Sequence, residues 1–231
     1  MLDFRRFRVL TFDCYGTLID WESGMLEALR PLLRAHGESL TDEQALELYG
    51  ELEAEAEAGE YQPYRKILEA VVRGFGERLG FEPSAQEAES LPESLKNWKP
   101  FPDTVAALKR LKTRYKLAIV SNTDDDLFAD TARLLEVPFD WVITAQQAGS
   151  YKPSHRNFKL ALERVGLPPE QVLHCAQSIY HDVIPARELR LATVWVNRRA
   201  GKMGKGATKT AQGRPDLEVP DLKTLAELSV A

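Results

Sequence analysis

Only two cysteines, Cys14 and Cys175, occur in the 231 residues. That is too few for a disulfide scaffold, and a reduced, cytoplasmic protein is the simpler reading. No apolar run approaches the roughly 20 residues that cross a bilayer, so no membrane association is expected. The N-terminal segment MLDFRRFRVL has no long apolar stretch of the secretory kind. Basic charge is in deficit as well: 30 Lys and Arg against 35 Asp and Glu leave a formal charge of −5, which argues against a nucleic-acid partner. What is present is enough chain for one core domain and a smaller insert. Nothing in it sets the oligomeric state, and a homodimer stays open.

Residues 9–20, VLTFDCYGTLID, carry the most information. An apolar strand ends in Asp13 and turns at once at Gly16-Thr17. A carboxylate at the C-terminal tip of a buried strand faces the crevice where α/β proteins place ligand chemistry, and a glycine there lets backbone approach a substrate. The competing role for Asp13 is to cap the turn. Further strand-like runs end the same way. Residues 116–120 deliver Ser121-Asn122, residues 141–144 lead to a loop with Lys152-Pro153, and residues 172–176 end at Gln177-Ser178, with Asp182 just beyond. Helical segments separate them, so these tips converge on one edge of a parallel sheet.

Between Glu22 and about Lys99 the pattern is helical only. Thr41-Asp42-Glu43-Gln44 has the form of a capping box, and a helix with an apolar stripe of Ile67, Leu68, Val71, Val72 and Phe75 runs from about Pro63 to Leu79. Glu51–Glu60 reads as a charged, solvated helix face. Another helix covers about 85–97. The core resumes with a helix from Pro102-Asp103 to about Thr113, and later helices are expected at 124–135, 154–165, 182–189 and 221–228, with a strand at 192–196. Residues 198–214, rich in Lys, Arg and Gly, read as a mobile surface loop, with attraction of anionic substrate as an added role. Cys14 has no histidine nearby in sequence to activate it and reads as a small buried residue.

The blocks DCYGT, VSN, YKP and QSIYHD, in this order, closely resemble the haloacid dehalogenase superfamily of hydrolases, over nearly the whole chain. The resemblance implies an α/β fold: a Rossmann-like parallel sheet in a core of residues 1–21 and 99–231, with a helical cap domain at 22–98. It implies Asp13 as a nucleophile that forms an ester or acyl phosphate. Lys152 would be the cation beside it. Ser121 and Asn122 would donate to a substrate oxyanion or leaving anion, and Thr17 and Asp182 would orient Lys152 or a water. A helix N-cap remains an alternative for Asp182. Tyr15 and Ser178 complete the expected substrate-binding set.

Phosphatase members carry a second Asp where this chain has Tyr15, as the L-2-haloacid dehalogenases do. Tyrosine, with a pKa near 10, is a poor acid near neutrality, whereas a halide leaves without a proton. Gln177 stands where phosphatases place an acidic metal ligand. The expectation is therefore carbon–halogen hydrolysis of a small anionic organic acid without a cofactor. A Mg2+-dependent phosphatase, with Asp13 and Asp182 on the metal, is the alternative. A retired binding protein on the same scaffold is the third reading. Departures from the dehalogenase pattern are Gly50 for a cap arginine, Phe158 for a tyrosine, and Gln177 and Ile179 for a serine and an asparagine. Arg65 is a candidate substitute for the arginine, and His181 a candidate acid or base.

Overall fold

The computed structural model describes residues 2–201, 204 and 206–230. Its strands are β1 (Val9–Phe12), β2 (Lys116–Ser121), β3 (Trp141–Thr144), β4 (Val172–Ala176), β5 (Ala192–Val196) and β6 (Leu217–Val219). They form one six-stranded sheet in the order β3-β2-β1-β4-β5-β6. Every pairing is parallel. β1 and β4 are buried along their whole length, as strands covered on both faces should be. All strand C-termini therefore reach the same edge, which carries Asp13, Ser121 and Gln177. The Rossmann-like architecture forms as the sequence implies. The sixth strand is an addition, because three residues with a single buried side chain, Val219, give no period to read.

Between β1 and β2 the chain makes α1 (Trp21–Ala35), α2 (Asp42–Glu57), α3 (Tyr64–Leu79), α4 (Ala85–Ser94) and α5 (Thr104–Lys112). The capping box that opens α2 is formed: Thr41 Oγ1 accepts from the Gln44 N–H, and Gln44 Oε1 from the Thr41 N–H. Ser84 and Glu87 repeat the device at α4. The apolar stripe of α3 is buried against α2 and α4. One core cluster runs without a break from Leu10 and Phe12 of the sheet through Trp21 and Trp98 to Leu68 and Phe75 of α3. A second fills the other face of the sheet around Val9, Val120, Phe158 and Val172.

The remaining helices are α6 (Asp125–Leu135), α7 (Ala145–Ala148), α8 (His155–Val165), α9 (Ile184–Glu188) and α10 (Leu222–Ser229). A wide turn at Ile179–Val183 precedes α9, and Ser178 caps it by accepting from the His181 N–H. Asp182 lies inside that turn and is not its cap. The 198–214 segment also departs from expectation. It is not free throughout: Ala207 is buried, and the Gly206 and Ala207 N–H groups donate to Glu43 and Glu22, while residues 209, 210 and 212–214 are exposed as expected. Arg199 donates to Glu22 at 2.6 Å. This strap ties the β5–β6 connection to α1 and α2. The part of that expectation falling on residues 202, 203 and 205 lies outside the described residues.

Candidate active site

Asp13 follows β1 directly, at the sheet edge where the chain must turn away. Gly16 makes the turn with φ of +90°, and a Cβ on it would lie 2.9 Å from Trp21 Nε1. A side chain is therefore excluded twice, by backbone conformation and by space. The Asp13 carboxylate accepts from Thr17 Oγ1 at 2.7 Å through Oδ2 and from Lys152 Nζ at 2.8 Å through Oδ1. Lys152 Nζ donates also to Asp182 Oδ1 at 2.6 Å and to the Val120 carbonyl at 3.0 Å. An ammonium has three hydrogens, and all three are used.

Asp13, Lys152 and Asp182 are nearly closed to solvent, so charge governs the site. Burial pushes the Asp13 carboxyl up and the nearby Asp182 adds to this; Lys152 offsets only part, and the net direction is upward. For Asp182 burial also pushes up, but Lys152 and the His174 hydrogen bond pull harder, and it lies below the ordinary range. Lys152 pays for its burial with two carboxylates and is held more firmly protonated than a free lysine. Burial, and then Asp13, drive the Cys14 thiol far up, so no thiolate nucleophile forms there.

Of the expected residues, Asp13, Tyr15, Ser121, Asn122, Lys152, Ser178 and Asp182 line one inner chamber of about 50 Å3, with Thr17 just beneath. The Ser121 hydroxyl makes no hydrogen bond among the described residues and is free to donate. Asn122 does a different task from the one expected: its amide clamps the Lys152 backbone, accepting from N–H at 2.7 Å and donating to C=O at 3.2 Å. The Tyr15 hydroxyl is 2.9 Å from Thr131 Oγ1, and burial raises its pKa further. Gln177 Oε1 accepts from Thr208 of the strap at 3.1 Å. Phe158 packs edge-on to His174 with 5.1 Å between ring centroids. His181 lines the chamber, and burial lowers its pKa to about 4, so the imidazole is neutral at pH 7.

Arg65 is not brought to the site. It pairs with Glu93 and Asp126, and so does not stand in for a cap arginine. Gly50 in α2 has no room for a side chain, since a Cβ would lie 2.3 Å from the Ala207 carbonyl oxygen. The reading of Glu51–Glu60 as a solvated face fails at Glu53 and Glu57. Both line the chamber, and Glu53 Oε1 accepts from Tyr49 at 2.8 Å and Tyr64 at 2.6 Å. Burial pushes both carboxyls upward. Tyr49, Glu53 and Glu57 recur at helical spacing, a signal that was available. His174 was also missed, although a lone histidine inside the apolar run VLHCA needs partners for both nitrogens.

The family model for haloacid dehalogenase-like hydrolases matches residues 7–188. This chain belongs to that family. The hydrolase is 26% identical over 221 residues to (S)-2-haloacid dehalogenase H-109 of Pseudomonas putida, covering 92% of this chain and 96% of the relative. It is 28% identical over 200 residues to a glyceraldehyde 3-phosphate phosphatase of Methanothermobacter thermautotrophicus, covering 82% and 85%. A solved L-2-haloacid dehalogenase superposes with a TM-score of 0.80 at 26% identity, covering 96% of this hydrolase and 98% of that chain. Relatives of both chemistries share the fold, so the side chains of the hydrolase must decide between them. No helix among its described residues is long and apolar enough to cross a membrane.

Proposed function

We propose that this hydrolase cleaves the carbon–halogen bond of a small 2-halo acid through an ester on Asp13. The observation that carries the reading is the use of Lys152: its ammonium takes Oδ1 of both Asp13 and Asp182. Lys152 already offsets charge on both carboxylates, and Gln177 beside them adds only an amide oxygen, a weaker magnesium donor than a carboxylate. This donor set supports a reaction without a metal.

The chemistry follows from the groups present. An Asp13 oxygen attacks the carbon that carries the halogen; a C–O bond forms, the C–X bond breaks, and halide leaves with the bonding pair. No proton is needed, which suits a chamber where Tyr15 replaces the acid. Lys152 holds the nucleophile in place, and Ser121 is the free donor for the substrate carboxylate. Glu53 and Glu57, pushed toward their neutral forms by burial, lower the repulsion an anionic substrate meets. Water then attacks Cγ of the Asp13 ester and releases the hydroxy acid.

Parallel assays of halide and phosphate release, with and without EDTA, test the reading. Halide release that survives chelation is expected, and Asp13→Asn removes it with the fold intact. A single turnover in heavy-oxygen water should label Asp13 and leave the product unlabelled. Label in the product would mean direct attack by water, and magnesium-dependent phosphate release would move the hydrolase to the phosphatase branch.

A further inference from the structure

His174 stands inside β4, wholly buried, and both ring nitrogens are engaged. Nδ1 is 2.9 Å from Thr11 Oγ1, and Nε2 is 3.0 Å from Asp182 Oδ1. A carboxylate can only accept, so Nε2 carries a hydrogen and donates it. Phe158 stands edge-on against the ring, and the strand fixes the backbone, so the imidazole has one orientation. Asp182 Oδ1 thus takes two donors, His174 and Lys152, while Oδ2 makes no hydrogen bond among the described residues. Asp182 lines the same chamber as Asp13.

We propose that His174 is a positioning residue for the second half of the reaction: by holding Asp182 through Oδ1, it leaves Oδ2 open to the water that hydrolyses the Asp13 ester. The inference rests on the covalent reading of Asp13. In that step water adds to Asp13 Cγ and gives one proton to Asp182. The bond from Cγ to the product oxygen breaks, and that oxygen takes the proton from Asp182. The second water proton goes to solvent as Asp13 returns to a carboxylate. The groups facing Asp182 are Lys152, Asp13, His174 and His181, with Glu53 and Glu57 of α2 across the chamber. Lys152 keeps Asp182 charged, but an ammonium is a rotatable donor without directional demand. The imidazole supplies direction and further favours the charged form.

The test uses the whole protein with His174→Phe, which keeps a flat ring beside Phe158 but loses the donor, and His174→Gln, which keeps a donor of similar reach. A hydrogen bond to a charged group corresponds to roughly ten- to a hundredfold in rate. His174→Phe should lower kcat by about that factor and KM with it, leaving kcat/KM within about twofold, because only the step after halide release is slowed. The Asp13 ester should accumulate in the mass spectrum, and the acid limb of kcat should rise by about one pH unit. His174→Gln should recover most of kcat. Carboxyl NMR of Asp182 follows its titration without substrate and should show the same upward move in His174→Phe. Unchanged Asp182 titration in a folded His174→Phe protein would overturn the inference. An absence of ester in wild-type single turnover would overturn the covalent reading, while the Asp182 titration would still decide whether His174 holds that carboxylate.

Discussion

With every ammonium hydrogen committed inside the protein, Lys152 is the one strong positive charge between two buried carboxylates. Lys152→Ala leaves Asp13 and Asp182 facing each other, and one of them must take up a proton. A barrier increase on the order of 3 kcal/mol is expected, as for other preorganised charge contacts. Asp182→Ala leaves the Lys152–Asp13 pair intact and should cost less; comparison of kcat for both variants, which includes ester hydrolysis, checks the order. His181 gives a stability prediction. Its folded pKa near 4 lies below the ordinary 6.5, so between those pH values the unfolded chain binds more protons. Stability is therefore lost as pH falls from about 6.5 to 4, by up to roughly 3 kcal/mol from this group. Thermal melts of wild type and His181→Asn should diverge across that window, with the wild type falling faster. Parallel melting curves would refute the assignment.

At the scale of elements, the start of α3 shows how the helices between β1 and β2 are joined to the later part of the chain. Its cap position is Pro63, which has no side-chain acceptor. Asp124, ahead of α6, supplies one instead: Oδ1 and Oδ2 accept from the N–H groups of Tyr64 and Arg65, each at 2.9 Å. Asp124→Ala should cost about 1–2 kcal/mol, with faster hydrogen exchange confined to the first turn of α3. Such a cap explains the limits of legibility. The α2 capping box is local, four residues that satisfy one another, and the sequence displays it. The Asp124 cap joins residues 60 apart and leaves no mark in either segment. The site divides in the same way. Asp13, Lys152 and Asp182 were readable because each follows a strand-like run. His174 lies within a run, where the apolar pattern marks no separate role for it. Glu53 and Glu57 were read as solvated because helical spacing tells which residues share a face, and the opposing surface decides whether that face meets water.

For the molecule as a whole, the strap matters most. Glu22 in α1 receives both Arg199 and the Ala207 N–H, and the Glu22 and Arg199 side chains are each only 14% exposed. Glu22→Ala removes both of these contacts, while Arg199 keeps Glu43 at 3.6 Å among its remaining partners. A loss on the order of 1–2 kcal/mol is expected from the two lost hydrogen bonds to a charged group, together with faster proteolysis of this segment. Proteolysis at the wild-type rate would show that the strap is held elsewhere.

The central place of β1 has a consequence for how the protein is made. Its neighbours are β2, where Val9 faces Lys116, and β4, where Val9 faces Val172. As the chain leaves the ribosome, the strand that leads to Asp13 emerges before β2 and β4 and waits without a partner on either side. The insert helices, whose contacts are closer in sequence, emerge complete before β2 does. Domains and local units fold first during synthesis, and long-range parallel pairing comes late. The Asp13 carboxylate thus acquires Lys152, 139 residues away, only after β2 and β3 have emerged, so a chain truncated just after β3 carries Asp13 without the ammonium beside it.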